Sequence, residues 1–178
     1  MRKVIESTLV SLDGVIGDPM SWADEYFDAQ AVEVSLEQLR RSDAMLMGRT
    51  TYEMFAAAWP SSSGDYADRM NEIPKYVFSN TLEEADWTNS TIVPGDPVAH
   101  VRELKDQDGG DLVIYGHGQL GEALLAHGLL DELRLWIHPV LVGGGRLLFR
   151  PDVTARLRLA QTETRTNGVI VAVYEPER

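Results

Sequence analysis

Cysteine is absent from all 178 residues, which removes disulfides, thiolate nucleophiles and every cysteine-based zinc site together. Positive charge is scarce. Only 16 lysines and arginines stand against 28 carboxylates, a formal net charge of −12, so the basic footprint that nucleic acid or an anionic membrane requires is missing. Long apolar runs are missing too: each is broken within about ten residues, well short of the roughly 20 that a spanning helix needs. His100, His117, His127 and His138 show no ligand spacing, and no metal site is expected from them. No serine sits in a nucleophile elbow. The opening "MRKVIESTLV" carries Glu6 inside its apolar run and is followed by no small-residue cleavage site, so it reads as a first strand and not a signal peptide. These absences fit a cytoplasmic protein, in which any bound phosphate is held by a local device.

The length fits one domain over residues 1–178. "KVIESTLV" is strand-like and runs into "SLDGVIG", a loop marked by Gly14 and Gly17. Over residues 24–41, Ala29, Val32, Leu36 and Leu39 recur on one face and predict a helix. "AMLM" follows as a buried strand and "TTYEMFAAAW" as a helix that stops before Pro60, while "SSSGDYADRM" reads as a polar connection. "KYVFSN" and "STIVPG" are strands, and a short helix lies over residues 97–105. "LVIYG" is a fifth strand leading into the helix "LGEALLAHG", which stops at Gly128. "ELRLWIHPVLV" is a long strand, and Asn167-Gly168 signals a final hairpin. This alternation specifies an α/β fold: a mainly parallel central sheet, helices on both faces and an antiparallel C-terminal hairpin. In such sheets ligands collect at the carboxyl ends of the strands.

Four loops fall there. In "MLMGRTTYEMF" an apolar strand meets Gly48, Arg49 and Thr50 at the start of a helix, where amides and a guanidinium make an anion site; a turn glycine beside a surface arginine is the plainer reading. "GHGQLG" fits the G-x-G-x-x-G pattern with Gly116, His117, Gly118, Gln119 and Leu120, but it follows a late strand, so its local chemistry suits a pyrophosphate without the usual dinucleotide-fold context. Ser79, Asn80 and Thr81 either hydrogen-bond a phosphate or ribose, or cap a turn. In "VSLDGVIG" the apolar Val15 and Ile16 lie between Gly14 and Gly17 on a pliable loop, with Asp13 as a turn or substrate residue. Tyr52, Phe55 and Trp59 recur at helical spacing, as core or as a stacking wall. "VGGGR" lacks the Lys-Ser/Thr of a P-loop.

Taken in order, "VSLDGVIG", "MSW", "MLMGRTTYE", "VFSNT" and "LVIYGHGQLGEALL" resemble the dihydrofolate reductase superfamily across nearly the whole chain. "GLLDELRLWIHPVLVGGGRLLF" is more similar to the reductase domain of the bifunctional riboflavin-biosynthesis deaminase-reductase and its stand-alone relatives. The resemblance implies a three-layer fold that binds NADPH. Gly48, Arg49 and Thr50 would hold phosphates on the adenosine side, with Ser79, Asn80 and Thr81 beside the 2′-phosphate. Residues 116–120 would cradle the pyrophosphate, and Val15, Ile16 and Gly17 would lie against the nicotinamide. Asp24, Glu25 and Asp28 are the carboxylates offered beyond Trp22, and Asp28, further into the helix, would be the catalytic one, with Asp13, Trp22, Tyr52 and Phe55 around the substrate. The Leu-Pro-x-Arg stretch that grips a folate tail has no counterpart after Trp59, no zinc deaminase can exist without cysteine, and the first helix is acidic where a ribose phosphate would need positive charge.

The reaction these residues imply is hydride transfer from NADPH to a C=N or C=O bond of a small heterocyclic, pteridine- or pyrimidine-like, or sugar-linked substrate. Asp28, if buried, or a water would supply the proton. The alternative is a nucleotide- or flavin-binding module without turnover. A homodimer is implied by the resemblance, with the apolar "LRLWIHPVLV" expected near an edge of the sheet.

Overall fold

The computed structural model describes residues 1–177. Its strands are β1 (Val4–Ser11), β2 (Ser42–Gly48), β3 (Lys75–Phe78), β4 (Ser90–Val93), β5 (Asp111–Tyr115), β6 (Glu132–His138), β7 (Leu157–Thr164) and β8 (Ile170–Pro176). They form one sheet in the order β4-β3-β2-β5-β1-β6-β8-β7. All neighbours from β4 to β6 pair in parallel, and β8 and β7 close the other side antiparallel.

The strand interiors are apolar on both sides because both sides are covered. Ala44 and Leu46 of β2, with Leu112 and Ile114 of β5, pack under α4 (Pro97–Asp106) and α5 (Gln119–Ala126). Met45, Met47 and Val113 face the opposite layer, formed by α1 (Ala29–Arg41), α2 (Arg49–Ala58) and α3 (Asp65–Glu72). This is the three-layer fold expected from the sequence.

Four local expectations are corrected. The first helix begins at Ala29 and not at residue 24. Asp24–Tyr26 is an isolated 3₁₀ turn, and Asp28 is the N-cap of α1, its Oδ1 accepting a hydrogen bond from the Ala31 amide at 2.8 Å. The stretch "SSSGDYADRM" is not merely a connection: α3 starts within it, held by the buried Ala67 and Met70 one turn apart. The strand "ELRLWIHPVLV" stops at His138, because Pro139 has no amide to give the ladder. Nor is it an edge; β6 lies between β1 and β8, and the outer strands are β4 and β7.

Candidate functional site

The carboxyl ends of β2, β3 and β5 open on a cleft of about 990 Å³. Residues 48–50, 79–81 and 116–120 all line it, so three of the four loops converge there. Gly48 and Gly118 are the N-caps of α2 and α5, and neither helix has a side-chain cap. By contrast, α1 and α4 are closed by Asp28 and Asp96. The first-turn amides of the two helices that open on the cleft are thereby left to an anion or water.

Arg49 occupies the first position of α2, where a cation opposes the helix dipole. Its Nε–H donates to Glu53 Oε1 at 2.7 Å and its Nη1–H to Thr81 Oγ1 at 2.9 Å. The guanidinium thus ties α2 to the loop after β3. In that loop Ser79 Oγ accepts from the amides of Thr81 and Leu82 at 3.2 and 3.0 Å, and Asn80 Oδ1 accepts from the Gly95 amide at 2.8 Å. These two side chains shape the loop, while Arg49 supplies its charge.

A further wall comes from a segment that the sequence reading weighed only as a P-loop and as part of the resemblance. Arg146, Phe149 and Arg150, beyond the triple glycine, line the cleft beside Leu147. Arg146 Nη2–H donates to the carbonyl of His117 at 2.8 Å, and a Cβ on Gly118 would lie 3.1 Å from that nitrogen. Gly116 turns the chain with φ +77°, a conformation that favours glycine. "VGGGR" fails as a P-loop, yet its arginine reaches the same glycine-rich turn.

Val15, Ile16 and Gly17 stand behind this wall and do not line the cleft directly. Ile16 N–H donates to Arg146 O at 2.8 Å, Val15 bridges to Leu147, and Trp22 Nε1–H donates to Gly17 O at 3.0 Å. Asp13 fastens the same two loops: it accepts from Ser11 Oγ–H at 2.6 Å and from the Gly143 and Val142 amides at 2.8 and 3.1 Å. Those bonds, the Ser11 hydroxyl first, hold its carboxyl down at about 2. Asp13 is therefore placed as a loop clamp, with its acceptor capacity used within the chain.

The remaining substrate residues separate. Trp22 meets His138 edge-on at 5.5 Å, and Tyr26 meets the same imidazole at 5.5 Å, giving an aromatic cluster at the end of β6. Burial lowers the pKa of His138, whose Nδ1 lies 2.8 Å from Trp136 O. Tyr52 is 5% exposed and packs on Trp87, whose amide donates to its hydroxyl; it belongs to the core and offers no ring face. Phe55 is half-buried against Trp59, Trp87 and Tyr115. Of the two readings of these helix aromatics, core or stacking wall, the contacts match the core: the rings are the packing of α2 itself. Asp28 is exposed, its Oδ2 3.3 Å from Asn167 Nδ2, so the burial that would make it an acid is not met.

The site contains one more pair. Glu6 on β1 is 0% exposed, and its Oε1 lies 2.6 Å from Nδ1 of His117 in the glycine-rich turn. Burial drives the Glu6 carboxyl above its usual range, with His117 opposing. The signal was a carboxylate inside an apolar strand, which on sequence alone argued only against a signal peptide. Among the described residues no group of three or more His, Asp or Glu is arranged to hold a metal ion. No helix among them is long and apolar enough to cross a membrane.

The chain matches the model of the RibD C-terminal domain over residues 2–171. It is 32% identical to the uncharacterised Bacillus subtilis protein YyaP, over 97% of this chain and 94% of that one. A Shewanella sp. PV-4 protein provisionally assigned to riboflavin biosynthesis superposes with a TM-score of 0.76 at 23% identity, covering 100% of both chains. The diaminohydroxyphosphoribosylaminopyrimidine deaminase/5-amino-6-(5-phosphoribosylamino)uracil reductase of Thermotoga maritima superposes with a TM-score of 0.65 at 15% identity; the match spans 99% of this chain and 57% of that protein.

Proposed function

The chain belongs to the RibD C-terminal domain family, and from that premise we propose that it is an NADPH-dependent reductase acting on a C=N or C=O bond of a small heterocyclic or sugar-linked substrate. The observation that carries this reading is the cleft lined by two helix N-termini without side-chain caps, with Arg49 and Arg146 both in its lining. Uncapped amides and guanidinium groups are the donors a dinucleotide's phosphates require, so the residues fit the cofactor.

When bound, NADPH supplies the hydride; the protein supplies orientation and electrostatics. Arg49, braced by Glu53 and Thr81, takes a phosphate on the adenosine side, which is the basis for favouring NADPH over NADH. The amides at the start of α5 take the diphosphate, with Arg146 beside them. Val15 to Gly17 hold the Arg146 segment in place through backbone bonds, so the nicotinamide end depends on that loop even though its side chains stand behind the wall. The Trp22–Tyr26–His138 cluster receives the flat ring of the substrate. A bound water delivers the proton, since Asp28 is exposed and serves as a helix cap.

Titration of the purified protein with NADPH and NADH, read by tryptophan fluorescence, tests the cofactor. NADPH is expected to bind more tightly, and Arg49→Ala to weaken it about tenfold or more, the loss of a charge-assisted bond. Equal affinities unaffected by Arg49→Ala would remove the reading. Binding without turnover of any pteridine, pyrimidine or imine would favour a nucleotide-binding module. A homodimer is also proposed. It is supported by Leu12 and Leu141, which are 63% and 73% exposed on the two loops that Asp13 clamps together.

A further inference from the structure

The two helix N-termini on the cleft carry opposite charges. Arg49 opens α2, whereas the first turn of α5 holds Glu122, the only carboxylate among the described residues that line the cleft. For the helix alone this carboxylate is favourable, because it complements the positive end of the dipole. For a diphosphate at the same amides it is a charge of the wrong sign. Its side chain is 13% exposed, so water does little to screen it.

Arg150 meets that charge. Its Nη2 lies 2.8 Å from Glu122 Oε2, and its Nε stands 3.9 Å from Asp152 Oδ1. The guanidinium is in the lining of the cleft, and its side chain is 62% exposed. Glu122 and Arg150 also line a neighbouring hollow, which Asp152 borders and the cleft does not share. Arg150 is thus held between one carboxylate on the cleft and another outside it.

We propose that Arg150 is a positioning residue for cofactor binding: it acts through Glu122, neutralising the carboxylate of the cleft so that the α5 amides and Arg146 can take the diphosphate. This rests on the NADPH reading above and assigns a residue that reading does not use. The charges decide the matter. At the α5 end the lining holds Arg146 and Arg150 against Glu122, a surplus of one positive charge. Without Arg150 the surplus vanishes, and a poorly hydrated carboxylate is left unpaired beside the anion, where like charges repel.

The test is a double-mutant cycle on NADPH affinity, read by tryptophan fluorescence. Arg150→Met is expected to weaken binding about tenfold or more, and Arg150→Lys, which keeps the charge, to stay within about threefold of wild type. Glu122→Gln should bind several-fold more tightly than wild type. In that background Asp152 is the ion partner left to Arg150, and it draws the guanidinium out of the cleft. Adding Arg150→Met to Glu122→Gln should therefore cost less than about twofold, so the double variant recovers wild-type affinity or better. A purely structural ion pair predicts the opposite, since the double variant lacks the pair as fully as the single one. Wild-type affinity in Arg150→Met would overturn the inference. So would an equal cost of that change in both backgrounds, which would make Arg150 a direct ligand of the cofactor. No NADPH binding by wild type would overturn the cofactor reading with it.

Discussion

Lys75 shows how a single side chain can organise a corner of the fold. It is 1% exposed, and its ammonium donates to the carbonyls of Asn71, Ile73 and Thr88 at 2.9, 2.8 and 2.9 Å, with the Trp87 ring 4.1 Å away. The first two carbonyls belong to the last turn of α3 and the residue that caps it, so one cation closes that helix and joins it to the strand beyond. Burial, with the Arg69 charge behind it, brings the Lys75 pKa down to about 8. The unfolded chain therefore binds more proton than the folded one between about 8 and the ordinary lysine value near 10.4, and over that window this residue makes stability rise with pH. The rise should be on the order of 1–3 kcal/mol, and it should vanish in Lys75→Met, which is itself destabilised because three carbonyls lose their donor. Urea unfolding of both proteins across that range checks it; an identical slope in Lys75→Met would show that the ammonium is not desolvated.

At the level of elements, the start of α1 separates two roles for Asp28. As a cap, it can be replaced by asparagine at little cost, whereas Asp28→Ala should lose about 1 kcal/mol. As an acid, it would be disabled by either change. The expectation is a lowered urea midpoint for Asp28→Ala only, with turnover and NADPH affinity kept by Asp28→Asn; a loss of turnover in Asp28→Asn would restore the acid. The same helix marks what sequence reading can reach. The apolar spacing of Ala29, Val32, Leu36 and Leu39 marks the helix but not its first residue, since Asp24 and Asp28 both precede the pattern and either residue type can cap a helix. The buried strands β2, β5 and β6 were legible because they are covered on both faces. α3 was not, since only Ala67 and Met70 of its eight residues are buried. In the site, the turns at Gly48 and Gly116 carried their own signal, whereas Arg146 is placed by its contact with a carbonyl 29 residues earlier in sequence. No local pattern announces such a contact.

For the whole molecule, the charge of −12 and the apolar loops point to different partners. The acidic surface repels anions, so cofactor capture falls to the local cations of the cleft. The exposed Leu12 and Leu141 face the opposite problem, and a second copy is the proposed cover. A stable pairing needs roughly 800 Å² from each subunit. Sedimentation equilibrium should return twice the 19.8 kDa chain mass, and Leu141→Asp should shift it toward the monomer. A single-chain mass for the wild type would discard the dimer.

The sheet order also sets a timetable. β1 lies between β5 and β6, with Val4 opposite Leu112 and Ile5 opposite Glu132. During synthesis at about 5–20 residues per second, this strand must wait on the order of ten seconds before its second neighbour exists. Until β5, the first of the two, is made, an apolar segment with a carboxylate in it has neither side of its ladder paired. Glu6, which ends up sealed beneath α5, spends that interval in water, where its charge keeps the waiting strand soluble and discourages it from pairing with another nascent chain.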